Sequence, residues 1–427
     1  MRITIVTVGT RGDVEPFVAL GVGLQKSGHS VKIATHAMFE SFITENGLGF
    51  ALVSGNVQEA INSDEAREAL EGSKTSFSFL LKVRSKAAPL VLTAVKELFE
   101  ACKDAEHLMC TPLTLHITYF LSKEFSIPIS VGCVNPAGPT RHFHCIIVPP
   151  APESLPVIVK RVYNAYSHVI MGKLVWMGQR PLLNEAWKKV FGHGLPINEP
   201  LGPAFKKNPR LMLYAYSRHV LDKPADWASV QHVTGYWFLK PDAQQKLTPE
   251  LEKFIHAGSK PIYIGFGSMN SGQHKKGAIK KLILEAVSKT GQRAVVLNTG
   301  LDLVPEELPE NIFATAPVPF ELLFPKMAAV VHHGGAGTTA AGLRAGVPSV
   351  ITPLIYDQRF WAWCVEKNGT GTRPIPWSQL TADNLCKGIM EALYSKEIEQ
   401  RAHETGKAIN SEDGVEQAVK LFNQFYK

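Results

Sequence analysis

Between Ala328 and Gly342 a short apolar run ends in His332-His333-Gly334-Gly335 and passes into an alanine-rich helix start containing Gly337 and Thr338. Those residue types in that order suit a cradle for a phosphate. Glycine lets the backbone come close to a ligand, and a new helix aims its unpaired N–H groups and positive dipole end at an anion. His333 and Thr338 add side-chain donors. The next apolar run, Ser349 to Pro353, leads into Asp357-Gln358, a carboxylate and an amide suited to gripping sugar hydroxyls.

Three further segments carry polar groups at the ends of apolar runs. Val8-Gly9-Thr10-Arg11-Gly12-Asp13-Val14-Glu15-Pro16 follows the first of them. There Asp13 reads either as a helix N-cap, with Pro16 in the first turn, or as a general base at a strand end facing an inter-domain cleft. A carboxylate has enough lone pairs for both. In Gly265-Phe266-Gly267-Ser268-Met269 the Ser268 hydroxyl and N–H could meet a phosphate. In Pro317-Val318-Pro319-Phe320 a proline-stiffened backbone at Val318 could read a base edge. The glycine loop itself admits other readings. It lacks the lysine of a P-loop. Gly335-x-Gly337-x-x-Ala340, with Asp357 22 residues after Gly335, passes loosely for a dinucleotide fingerprint, but that motif belongs on the first strand of its domain. A tight turn alone needs less polarity than two histidines and two threonines provide.

Strand-like runs alternate with helical patterns along the whole chain, which predicts α/β architecture with parallel sheets wrapped by helices. Strands are expected at 2–8, 30–35, 49–53, 106–110, 128–133 and 210–215, then again at 261–266, 293–298, 312–315, 328–331 and 348–352. Helices are expected at 14–27, 76–101, 276–290, 336–345 and 358–368, and the last 25 residues read as helix. The economical picture is two doubly wound domains facing each other, with ligands at the carboxyl ends of the strands. At 427 residues, 45% hydrophobic and 19% charged, the chain is long enough for two globular domains. No apolar stretch is long enough to cross a bilayer, and no secretory leader is read at the N-terminus. The six cysteines show no paired metal-ligand spacing, so reduced thiols in a cytoplasmic protein are expected. A net charge of +7 suits an anionic ligand or acidic membrane surface, whereas scattered basic residues without a stripe speak against nucleic acid.

Taken together, the Gly9–Pro16, Gly265–Met269 and Val330–Gln358 segments resemble the signatures, in order, of glycosyltransferases of the GT-B fold (glycosyltransferase family 1). The resemblance is specifically to the sterol 3-beta-glucosyltransferases and to bacterial natural-product glycosyltransferases of the vancomycin type. It implies an inverting transfer from a nucleoside diphosphate sugar, with no cofactor and no metal. Asp13 would deprotonate the acceptor hydroxyl. His333, Thr338, Ser268 and the helix start at Gly335 and Gly337 would stabilise the departing diphosphate. Asp357 and Gln358 would hold the sugar, and the backbone at Val318 the pyrimidine. Tyr356 and Arg359 stand where relatives often show glycine and proline.

The resemblance also places an acceptor loop at Asn135 to Phe143 and makes Thr10, Asn135, Thr140 and Phe143 acceptor-side residues. Downstream, Leu155 to Met177 reads as one amphipathic helix. Its apolar stripe is expected to face the core; the sharper alternative is a wall for a flat lipophilic alcohol, with Lys160, Arg161 and Lys173 touching a membrane. The division expected is 1–220 for the acceptor, 221–240 as linker, 241–405 for the nucleotide sugar, and 406–427 as a helix packing back toward the first domain. The function expected is transfer of glucose from UDP-glucose to a sterol or similar lipophilic alcohol, in the cytoplasm and with membrane association allowed. The rivals are a thymidine diphosphate sugar with a natural-product acceptor, a non-catalytic nucleotide-sugar-binding protein, and a nicotinamide-dependent oxidoreductase.

Overall fold

The computed structural model describes residues 1–55, 76–195, 201–240, 245–267, 273–354 and 356–426. They form two units. One contains Met1–Arg218, Asp222–Leu239 and Asp413–Lys427; the other contains His219–Leu221 and Lys240–Glu412. Each is a parallel sheet wrapped by helices.

The first unit holds strands β1 (Arg2–Val6), β2 (Ser30–Thr35), β3 (Gly49–Leu52), β4 (His107–Cys110), β5 (Ile129–Cys133), β6 (Met212–Tyr214) and β7 (Gln231–Val233). They lie in the order β3-β2-β1-β4-β5-β6-β7. Its helices are α1 (Arg11–Lys26), α2 (Glu40–Glu45), α3 (Ser76–Cys102), α4 (Leu115–Glu124), α5 (Val157–Phe191) and α6 (Leu201–Lys207). All of β4 and β5 is buried, as expected of central parallel strands covered on both faces. Helix α1 comes so close to β5 that a Cβ on Gly132 would lie 2.4 Å from Phe17 Cε1. The chain runs outward from β1 to β3 and then returns to β4 on the other side of β1. The carboxyl ends of β1 and β4 therefore flank the switch point, where doubly wound sheets bind ligands.

The second unit repeats this plan in the order β10-β9-β8-β11-β12. Its strands are β8 (Ile262–Gly265), β9 (Ala294–Leu297), β10 (Ile312–Thr315), β11 (Val330–His332) and β12 (Ser349–Ile351). Its helices are α7 (Pro249–His256), α8 (Gln273–Thr290), α9 (Phe320–Leu323), α10 (Ala336–Ala345), α11 (Tyr356–Lys367), α12 (Ala382–Tyr394) and α13 (Lys396–Asn410). Here the switch point lies between β8 and β11.

Three readings from sequence are corrected. The last 25 residues are not one helix: α13 ends at Asn410 and α14 (Gly414–Phe425) restarts after Asp413, whose carboxylate accepts from Glu416 N at 2.9 Å. Helix α14 belongs to the first unit, where Ala418 and Phe422 join Leu24 and Val18 in the core. Residues 222–239 are more than a linker, since they contribute β7 and the core residue Trp237 to the first unit. Helix α5 runs well beyond Met177, and much of its apolar stripe is exposed where a core-facing one was expected. Among the described residues no helix is long and apolar enough to cross a membrane.

Candidate active site

In the first unit β1 stops at Val6, two residues earlier than its apolar pattern suggests, because Thr7 to Thr10 form the turn into α1. Thr10, not Asp13, is the N-cap, and Asp13 occupies the third helical position. Its Oδ2 accepts hydrogen bonds from Thr10 N at 2.8 Å and from the Thr10 hydroxyl at 3.0 Å. This is the carboxylate half of a capping box. Gly9 makes room for it: a Cβ there would lie 2.4 Å from Oδ2, and φ of +135° suits glycine. Thr7 Oγ1 donates to Asp13 O at 2.8 Å, and Thr114, after β4, donates from its hydroxyl to Val6 O at 2.9 Å. The turn is thereby fixed at the switch point of its sheet.

The second carboxylate oxygen of Asp13, Oδ1, receives no hydrogen bond from any described residue. Burial raises the carboxyl pKa above its ordinary value, against the two bonds from Thr10, which lower it. A carboxylate poorly solvated in its charged form, with one oxygen held and the other open, is equipped to take a proton.

In the second unit the histidine pair divides its labour. His332 is fully buried; its Nδ1 accepts from Gly334 N at 3.0 Å and so bends the chain out of β11. Its Nε2 is buried and meets no partner among the described residues. The His333 ring is wedged between two glycines that end strands or begin helices. A Cβ on Gly335 would lie 2.6 Å from Nε2, and one on Gly267, just past β8, would lie 3.1 Å from Cε1. Burial lowers the His333 pKa to about 4, so the ring is neutral at pH 7. Its Nδ1 is buried and meets no partner among the described residues. An orphaned buried ring nitrogen costs about 1–3 kcal/mol, which a polar ligand would recover.

Gly335 is the N-cap of α10, so the N–H groups of Ala336, Gly337 and Thr338 have no acceptor inside the helix. Gly334, with φ of +91°, lies against α11: a Cβ there would sit 2.7 Å from Ile351 Cγ2 and 3.0 Å from Gln358 O. This contact brings the start of α11 beside the glycine loop. Gln358 is buried, and its Oε1 accepts from Leu354 N at 2.9 Å, so this atom shapes the loop after β12. Asp357 is in the first turn of α11 and half-buried. Val318, after β10, packs partly into the core around Leu323 and Phe324. Its backbone N–H and C=O carry no hydrogen bond among the described residues. Ser268 lies outside the described residues.

On the acceptor side Thr140 and Phe143 are buried within their own loop. The Thr140 hydroxyl donates to Asp226 Oδ1 at 2.6 Å, and Phe143 packs edge-on against His168 and Trp227. Asp226 also accepts from Arg141 N at 2.8 Å. Sequence reading missed it, since a lone aspartate 86 positions from its partner gives no local signal. Asn135 lies half-buried just past β5.

Comparison with known proteins agrees with this geometry. Residues 3–111 match the glycosyltransferase family 28 N-terminal domain, and residues 281–415 match the erythromycin biosynthesis protein CIII-like C-terminal domain. Two sterol 3-beta-glucosyltransferases of Arabidopsis thaliana are each 32% identical over 99% of this chain, which covers 68% and 65% of their lengths. The chain belongs to the sterol 3-beta-glucosyltransferase family. In that of Aspergillus oryzae, 31% identical over 98% of this chain, the match covers 30% of the relative. Solved structures show that this glycosyltransferase has the GT-B fold. The glycosyltransferase of kitacinnamycin superimposes with a TM-score of 0.68 at 17% identity, covering 99% of this chain and 98% of that one. A Streptomyces glycosyltransferase complexed with thymidine diphosphate gives 0.62 at 18% identity, covering 99% of each chain.

Proposed function

We propose that this glycosyltransferase moves glucose from UDP-glucose to the hydroxyl of a sterol or similar lipophilic alcohol, in one inverting displacement that needs no metal. The relatives named for sterol glucosylation support the acceptor and sugar. The observation that carries the chemistry is the open Oδ1 of Asp13.

In this reading Asp13 Oδ1 takes the acceptor proton as the acceptor oxygen forms its bond to the anomeric carbon. The bond from that carbon to the diphosphate breaks on the opposite face, and UDP leaves with the electron pair. Neutral His333 and the amides at the start of α10 receive the charge that develops on the diphosphate. Asp357 and Gln358 are assigned to the sugar hydroxyls, and the backbone at Val318 to uracil. Asn135, with the loop shaped by Thr140 and Phe143, and Thr10 beside the base, define the acceptor side.

Replacing Asp13 by Asn tests the reading. The amide keeps the capping geometry but cannot accept the proton, so kcat should fall about 10²–10⁴-fold with UDP affinity nearly unchanged. The wild-type kcat/KM should show an acid limb above the ordinary Asp value of about 3.9, which the variant lacks. Turnover within threefold of wild type would reduce Asp13 to a cap. UDP at ~100 times its Kd should stabilise the protein by about 2.7 kcal/mol; a shift with thymidine diphosphate alone would replace the donor. Loss of activity in EDTA that magnesium restores would remove the metal-free step.

A further inference from the structure

A second oriented side chain stands at the carboxyl edge of the first sheet. His36, the residue after β2, is 5% exposed. Its Nδ1 lies 3.0 Å from Val53 O, and a carbonyl only accepts, so Nδ1 carries a proton and donates. Val53 is held in turn. The N–H and the hydroxyl of Ser54, the next residue, both donate to the Glu97 carboxylate of α3. The imidazole is thus oriented by a fixed strand end, which is how a ring is prepared to use its other nitrogen. In the neutral ring that nitrogen, Nε2, offers a lone pair. It is buried and meets no partner among the described residues. A buried acceptor left unpaired is costly, and a hydroxyl donor would offset that cost.

The place of His36 says which molecule brings that donor. Strand β2 is the neighbour of β1, about 4.8 Å away, and Thr7 N donates to Ala34 O at 3.1 Å. His36 therefore lies one strand over from the turn that holds Asp13. Ligands of doubly wound sheets bind along this carboxyl edge. Apolar side chains flank the histidine there and face water: Met38, Leu52 at the end of β3 and Leu113 after β4 are 57, 46 and 61% exposed. One polar atom among apolar ones fixes how a lipophilic molecule lies. We propose that His36 is a specificity-determining residue whose Nε2 accepts a hydrogen bond from a second hydroxyl of the acceptor, so that the preferred acceptor is a lipophilic diol. The hydroxyl that Asp13 deprotonates and the hydroxyl that His36 holds belong to one molecule. This rests on the lipophilic alcohol proposed above as acceptor and adds a second group to it.

Steroids sharing one skeleton test it: a mono-ol and its diols, each with one further hydroxyl at a different position. Wild type should turn over one of the diols with kcat/KM at least tenfold above the mono-ol. His36→Asn keeps a donor where Nδ1 was, so the bond to Val53 O survives, and it removes Nε2. The ratio of that diol to the mono-ol should then fall to within threefold of one, and a ratio reads specificity whatever the absolute rate of the variant. The His36 ring resonances, assigned by their loss in His36→Asn, give a second readout that needs no turnover. The preferred diol should shift them and the mono-ol should not. Wild-type ratios near one for every diol, a ratio that His36→Asn leaves unchanged, or ring resonances indifferent to all the diols would overturn the proposal. Resonances that a diol shifts without turnover of any steroid would support the site and remove the glucosyl transfer instead.

Discussion

Glycine placement controls the two side chains on which the proposed chemistry rests. Asp13 can lie where it does because Gly9 has no Cβ, and His333 because Gly267 and Gly335 have none. Gly335 has φ of −59°, which alanine adopts freely, so Gly335→Ala isolates the contact with the ring from any effect on the backbone. The added methyl should displace His333 and weaken UDP binding at least tenfold, about 1.4 kcal/mol. The cost to folding should stay near 1 kcal/mol. Isothermal titration with UDP beside a denaturant melt separates the two, and unchanged affinity would dissociate His333 from the donor. At this scale the sequence was informative about residue type but not about partners. The glycine loop and Asp13 stood out as motifs, whereas the division of labour between His332 and His333 depends on which ring nitrogen the Gly334 amide can reach.

Helix α14 shows what an element contributes from outside its own stretch of sequence. Gly23 on α1 lets it come close: a Cβ there would lie 2.5 Å from Val415 Cγ1. Phe422 is fully buried, meets His107 edge-on and packs against Tyr426 at a tilt of 49°. Phe422→Ala should destabilise the first unit by about 3–5 kcal/mol, read as a lower urea midpoint, while the second unit, which Phe422 does not join, keeps its own transition. A single transition moving as a whole would instead mean that the units unfold together. The strands other than β7 were readable at this scale, since buried parallel strands are continuous apolar runs; β7 is three residues long and fell in the stretch read as linker. The break between α13 and α14 carried a cap signal at Asp413 that helical periodicity overrode. The orientation of α5 was not readable, because a stripe facing water and a stripe facing a core have the same spacing. Only the buried polar trio Asn164, Ser167 and His168 reveals which side is inside.

Across the whole molecule, buried histidines set a pH limit. In an unfolded chain imidazole titrates near 6.5. Burial lowers His107 and His332 to about 3, and His116, His144 and His333 to about 4. Between those values the proton binds only to the unfolded state, so stability is whole above pH ~6.5 and falls as pH drops toward 4. Each ring removes up to about 1.4 kcal/mol per pH unit. Three of the five belong to the first unit and two to the second, so both transitions in a melt should move down between pH 6.5 and 5. A flat profile over that range would contradict the neutral buried rings. The two-sheet architecture followed from the alternation of strands and helices, and a helix at 406–427 packing back toward the first domain was expected, although no local feature marks the discontinuity that makes residues 413–427 members of that unit.

That discontinuity has a consequence for synthesis on the ribosome. Translation runs from the amino end, so the segment that covers Gly23 and Leu24 emerges only after all 173 residues from Lys240 to Glu412. The first unit to begin folding is thus the last to be sealed, and for that interval the nascent chain presents the bare flank of α1 to chaperones.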